Sequence, residues 1–155
     1  MVRYKKSMNN KVQKLEDLVA WSEAKALAVD VYKLTAVEPW SKDFGLRDQI
    51  RRSAVSISSN IAEGYGRGGN KEFVQFLYIA KGSLYELKTQ LIIGSEIGYS
   101  KPEQLSLIFE RIDKTSRILA GLLNYIKESE YKGSKFAEPI VEYTTTSNFE
   151  LGTSN

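Results

Sequence analysis

The sequence predicts an all-α protein, an up-down antiparallel bundle of four helices. Three observations lead there. Four long segments repeat apolar residues every three to four positions, and no segment alternates apolar and polar residues long enough to make a strand. The breaks between segments are short, as between antiparallel neighbours, and each holds glycine or proline.

The first segment, about residues 16–36, sets Val19, Ala24, Leu27, Val31 and Leu34 along one face; Pro39 and Gly45 then break the pattern. The second, about 46–65, carries Leu46, Ile50, Ala54, Ile57 and Ile61 and stops at a run of glycines. The third, about 71–97, is the longest, with a stripe of Phe73, Leu77, Ala80, Leu84, Leu87 and Leu91. Asn70 stands where a side chain can accept the first free backbone N–H groups, so it is the expected N-cap. Gly98 and Pro102 end that helix. The fourth, about 102–129, repeats Leu105, Ile108, Ile112, Thr115, Leu119, Leu122 and Ile126 at spacings of three and four, the pattern of a bundle seam.

A chain of 155 residues fits one such domain, and 42% hydrophobic residues suffice to fill its core. The expected organisation is a basic, flexible arm over residues 1–14, the bundle over 15–130, and a flexible tail over 131–155, rich in Ser, Thr and Gly. Net charge is +3, but its distribution is uneven. Residues 1–14 carry Arg3, Lys5, Lys6, Lys11 and Lys14 with no acid, whereas residues 128–155 hold five acids against Lys132 and Lys135. Basic ends of this kind contact nucleic acid or keep a chain in solution.

Cysteine and histidine are both absent, which removes disulfides, zinc-thiolate sites, cysteine nucleophiles and imidazole acid–base chemistry together. A di-iron bundle would need inward Glu-x-x-His pairs and fails on the same ground. Ser22-Glu-Ala-Lys25 matches the Ser-x-x-Lys pattern of penicillin-recognising enzymes, but its companion motifs are missing. The chain is therefore expected to be no enzyme and to need no cofactor or metal. The basic N-terminal stretch has no apolar core, and no run approaches the roughly 18 apolar residues of a membrane span. A cytoplasmic protein without a membrane partner is expected.

Three groups of residues invite a functional reading. Glu63-Gly-Tyr-Gly-Arg-Gly-Gly-Asn-Lys71 follows a helix and lacks both the Walker and the Rossmann context. Backbone amides with Arg67 and Lys71 could still hold a phosphate. Glycine is also what a helix end and tight corner require, and that structural reading carries more weight. On helix two, Arg52, Ser56, Ser59, Asn60, Glu63 and Arg67 lie opposite the Ile50–Ile57–Ile61 stripe. They read either as a phosphate-binding face or as a close helix contact, and Glu63 favours the contact. On helix three, Tyr78, Lys81, Tyr85 and Lys88 form a second stripe, extended by Val74 and Ile92. Stacking of bases and packing of a second subunit explain it equally well.

Leu46 through Arg67, with Lys71-Glu-Phe-Val-Gln-Phe-Leu77 and Gly82-Ser-Leu-Tyr-Glu-Leu-Lys-Thr-Gln-Leu91, resembles the bacterial four-helix-bundle proteins named after the intervening sequences of 23S rRNA. Leu18-Val-Ala-Trp21 and Ala28-Val-Asp-Val-Tyr32 are similar to that family's first helix. The resemblance spans about residues 15–127 and is most specific over Gln49–Gly64. The family often has proline where this chain has Ser58, so helix two is expected to be straighter here. The resemblance implies a homopentameric ring with a central channel, and a likeness to the accessory protein of diversity-generating retroelements, which works with a reverse transcriptase and nucleic acid. The family name records where some genes sit and brings no reaction. Arg51, Arg52, Asn60 and Glu63 are typical family residues, and Glu86 is the expected ion-pair partner of one arginine at a packing or oligomer contact that also takes in Ser56, Tyr78 and Tyr85.

Together these readings give a non-enzymatic oligomer that binds RNA, DNA or a nucleic-acid-processing protein. Arg3, Lys5, Lys6, Arg67, Lys71, Lys81 and Lys88 are the candidate contacts. The alternative is a protein-interaction scaffold with no nucleic-acid role.

Overall fold

The computed structural model describes residues 12–129. Four helices run over Val19–Thr35 (α1), Phe44–Gly66 (α2), Asn70–Glu96 (α3) and Ser106–Glu128 (α4), and no strand occurs among the described residues. Short 3-10 turns at Leu15–Asp17, Trp40–Lys42 and Pro102–Leu105 precede α1, α2 and α4. Each helix packs on its neighbour in sequence, and α4 closes the bundle against α1.

The chain's alternating direction shows in the bonds at the two ends. Where α1 and α3 finish and α2 begins, the buried Trp40 indole donates to Ser100 Oγ (2.8 Å) and Tyr99 OH donates to Asp43 (2.9 Å). At the opposite end Asn70 Nδ2, on the first residue of α3, donates to Ser129 Oγ just past α4 (3.3 Å). Asn70 is thus the first helical residue and not the cap. Gly69 holds the cap position and, having no side chain, makes no side-chain bond there, while the Asn70 amide is directed at the end of α4.

Every stripe residue expected on helices two to four is wholly or partly buried. Helix one differs at Val19, which is half exposed, while Leu18 is fully buried. The reason is angular: the five residues from Val19 to Ala24 turn the helix about 140° past a full revolution, which takes Val19 off the Ala24–Leu27–Val31 face. Val12 is also in the core, at 2% exposure, three residues before the expected start of the bundle. α2 runs unbroken through Ser58, whose hydroxyl donates to Val55 O (3.2 Å).

Candidate functional site

The glycine-rich stretch forms the α2–α3 corner. Arg67 N–H donates to Glu63 O and Gly68 N–H to Tyr65 O, and Gly68 takes a φ of +77°, where a side chain would be strained. Gly64 serves another purpose, close approach between helices. A β-carbon there would sit 2.6 Å from Phe76 Cβ and 2.8 Å from Phe73 Cδ2. Arg67 is already engaged: its guanidinium donates to Glu63 Oε1 at 2.8 Å and lies 5.5 Å from the Phe76 ring centre. That bond, the charge of Glu63 and the more distant Glu72 push the Arg67 pKa above its already high value.

The polar residues of α2 divide between two neighbours. Ser56 Oγ bonds Ser83 Oγ on α3 (2.9 Å), and Asn60 Nδ2 donates to Ser56 O and Oγ (2.7 and 2.9 Å), so this group satisfies itself within the α2–α3 contact. Arg51 turns the other way. Its Nε donates to the buried Thr35 hydroxyl (2.8 Å), and its guanidinium lies over the Tyr32 ring of α1 at 4.5 Å. Arg52 is exposed. Glu86, also exposed, accepts from Gln90 Nε2 (3.3 Å), and no arginine pairs with it among the described residues.

On α3, Tyr78 and Tyr85 are half exposed. Lys88 pairs with Asp113 of α4 (3.3 Å), and Lys127 of α4 contacts the Tyr78 hydroxyl and ring. Lys71 is exposed and Lys81 partly so, and neither meets a carboxylate among the described residues. Arg3, Lys5 and Lys6 lie outside the described residues. From 12 to 129 sixteen basic residues face fifteen acidic ones, so the bundle itself is close to neutral. Among the described residues no group of acids could hold a metal, and no helix is long and apolar enough to cross a membrane.

Two features escaped the sequence reading. One is the lock at the end where α1 and α3 finish, where Trp40 meets Tyr99 edge to face at 5.4 Å and its ring occupies the space a Gly94 side chain would need. The other is an apolar groove between α1 and α2 that includes Val29, Tyr32 and Val55. Its only linear trace is the Val29, Tyr32, Ala36 spacing of three and four beside the core stripe.

The model of the 23S rRNA-intervening sequence protein family matches residues 16–121. The chain belongs to this family. A structural relative of 26% identity and TM-score 0.62 is a protein of unknown function from the S23 ribosomal protein family of Bacteroides thetaiotaomicron. The match covers 68% of this chain and 98% of that one. No curated protein is significantly similar to the chain. The 23S rRNA-intervening sequence family thus accounts for the bundle and its α2–α3 corner, while the segments flanking residues 16–121 lie beyond its model.

Proposed function

We propose that this protein is a non-enzymatic binding scaffold that assembles with copies of itself through the outer face of α3. One observation carries the reading. α3 buries a complete apolar stripe in its own core, yet Tyr78, Ile79, Tyr85, Ile92 and Ile93, with Ile97 at its cap, remain 41–56% exposed. A surface helix normally keeps its outer side polar, and exposed apolar side chains gathered on one helix mark an interaction surface. Lys81, Glu86 and Glu96 stand among them, so a second copy can answer charge with charge as well as apolar surface with apolar surface. The homopentameric ring implied by the family resemblance is the proposed assembly.

Native mass spectrometry tests it. A species near five times 17.5 kDa is expected, falling to the monomer in Tyr85→Glu/Ile92→Glu with helix content retained. A wild-type chain that stays monomeric at every concentration overturns the assembly.

A second reading has its own support. The four cations Arg3, Lys5, Lys6 and Lys11 sit in a stretch without acids, so the scaffold's ligand is proposed to be RNA or DNA held electrostatically, or a protein that processes it. Ring symmetry would multiply such weak contacts. Anisotropy against an RNA hairpin and a DNA duplex at two salt concentrations checks this. Binding that weakens steeply with salt supports it, and no binding at low salt leaves a scaffold for proteins alone.

A further inference from the structure

Gly82 sits near the middle of α3, and nothing in the described part of the chain accounts for it. It is exposed, its φ is not positive, and a β-carbon built there would have nothing within 4 Å. Glycine is among the least favourable residues inside a helix, so such a position suits it where another backbone comes close.

The side chains around Gly82 divide into two unlike flanks. At about 100° per residue, Tyr78, Tyr85, Ile92 and Lys81 stand about 40–100° to one side of it, and Ile93, Glu86 and Ile79 about 20–60° to the other. The first flank lies along α4, through the Lys88–Asp113 pair and the contact of Lys127 with Tyr78. The second lies along α2, through the Ser56–Ser83 bond. The apolar members of both flanks are about half exposed. Lys81 and Glu86 are the two charged residues within four positions of Gly82. They lie on opposite flanks, and among the described residues neither meets an opposite charge, Glu86 accepting only from the Gln90 amide.

We propose that the Tyr78–Lys81–Tyr85–Ile92 flank of one copy packs on the Ile79–Glu86–Ile93 flank of the next, with Gly82 letting the two α3 backbones approach and Lys81 meeting Glu86 across the contact. A polynucleotide would find Glu86 beside the notch and be repelled. A second copy brings a carboxylate for Lys81, an ammonium for Glu86 and matching apolar surface. The inference rests on the assembly reading above and gives it a direction. The two surfaces of the contact differ, so copies join head to tail, as a closed ring of five requires and a two-fold dimer does not.

Variants that disable one flank each test it. Tyr85→Glu/Ile92→Glu removes the first and Ile79→Glu/Ile93→Glu the second, with helix content followed by circular dichroism. In sedimentation velocity each variant alone is expected to be monomeric, while an equal mixture forms a dimer and nothing larger, because one intact flank of each kind remains. Gly82→Gln in the otherwise unchanged chain should raise the subunit dissociation constant about tenfold or more, the cost of overpacking a close contact. In the monomeric Tyr85→Glu/Ile92→Glu background the same substitution should raise Tm, since glutamine is the better helix former. An Ile79→Glu/Ile93→Glu variant that assembles like the wild type overturns the head-to-tail contact. So does a mixture that stays monomeric up to its solubility limit, a Gly82→Gln chain that assembles unchanged, or a Gly82→Gln substitution that lowers Tm in the monomeric background. Those results leave assembly through α3 standing, whereas a wild type monomeric at every concentration removes both.

Discussion

Gly64 and Gly94 each leave out a side chain where another residue stands. A methyl at Gly64 meets Phe76 and Phe73 at the α2–α3 corner, so Gly64→Ala should destabilise the fold by about 1–3 kcal/mol, the usual cost of overpacking, as read by chemical denaturation. Gly94→Ala should be more disruptive, since the methyl would run into the rigid Trp40 ring, itself fixed by Ser100 and Tyr99. Glu63 belongs to the same scale. Its bond holds Arg67 away from any phosphate, so Glu63→Gln should steepen the log–log salt dependence of polynucleotide binding by about 0.9, the contribution of one phosphate contact. An unchanged slope removes Arg67 from the contact set. The glycines were legible as breaks in a pattern, but which one fills a turn and which admits a ring depends on a partner distant in sequence.

Helix α2 owes its first turn to Asp43, whose carboxylate accepts from the Leu46 N–H at 3.0 Å and from the Tyr99 hydroxyl. Those two bonds, the backbone one foremost, hold Asp43 below its ordinary value of 3.8. A carboxyl lowered by folding stabilises the native state above its unfolded pKa and loses that contribution as pH falls through the folded one. Scanning calorimetry between pH 2 and 6 should therefore show a smaller acid-side drop in Tm for Asp43→Asn than for the wild type. Tyr99 is the mirror case. Its bond to Asp43 raises its pKa, so the neutral phenol's contribution is present below the unfolded value near 10 and is lost as pH climbs through the folded one. Tyr99→Phe should flatten that alkaline loss. Element spans are legible in the sequence to within four residues, because 3.6-residue periodicity and helix breakers are local signals. Periodicity runs unbroken from 102 to 129, yet Pro102–Leu105 forms a 3-10 turn before α4, and Gly69 rather than Asn70 caps α3.

At the scale of the whole molecule, net charge is concentrated in the terminal segments of the sequence, while the described helices expose apolar side chains. Deleting residues 1–11 removes Arg3, Lys5, Lys6 and Lys11 while sparing Val12, which is in the core. If the arm carries polynucleotide binding, its loss should lower the magnitude of the salt slope by about three to four without changing the number of subunits in the assembly. Fewer subunits with unaltered affinity would reverse the roles given to arm and bundle. The near balance of sixteen cations and fifteen acids over residues 12–129 leaves the described bundle with little net charge. It also explains why the exposed apolar side of α3 weighs more in the functional reading than the cations beside it.

By itself the sequence determined an all-α chain of four amphipathic helices, the stripes that fill its core and the uneven placement of charge. Each of these follows from local spacing and composition. Only the tertiary structure decided which polar residues are already satisfied. Ser56 bonds Ser83 and accepts from Asn60, Glu63 takes up Arg67, and Asp113 takes up Lys88. Only the packed bundle, likewise, opened the groove beside Tyr32. A hydrogen bond, an ion pair or a groove between helices depends on residues tens of positions apart meeting at one level of the bundle, and periodicity within a single helix carries no record of that register.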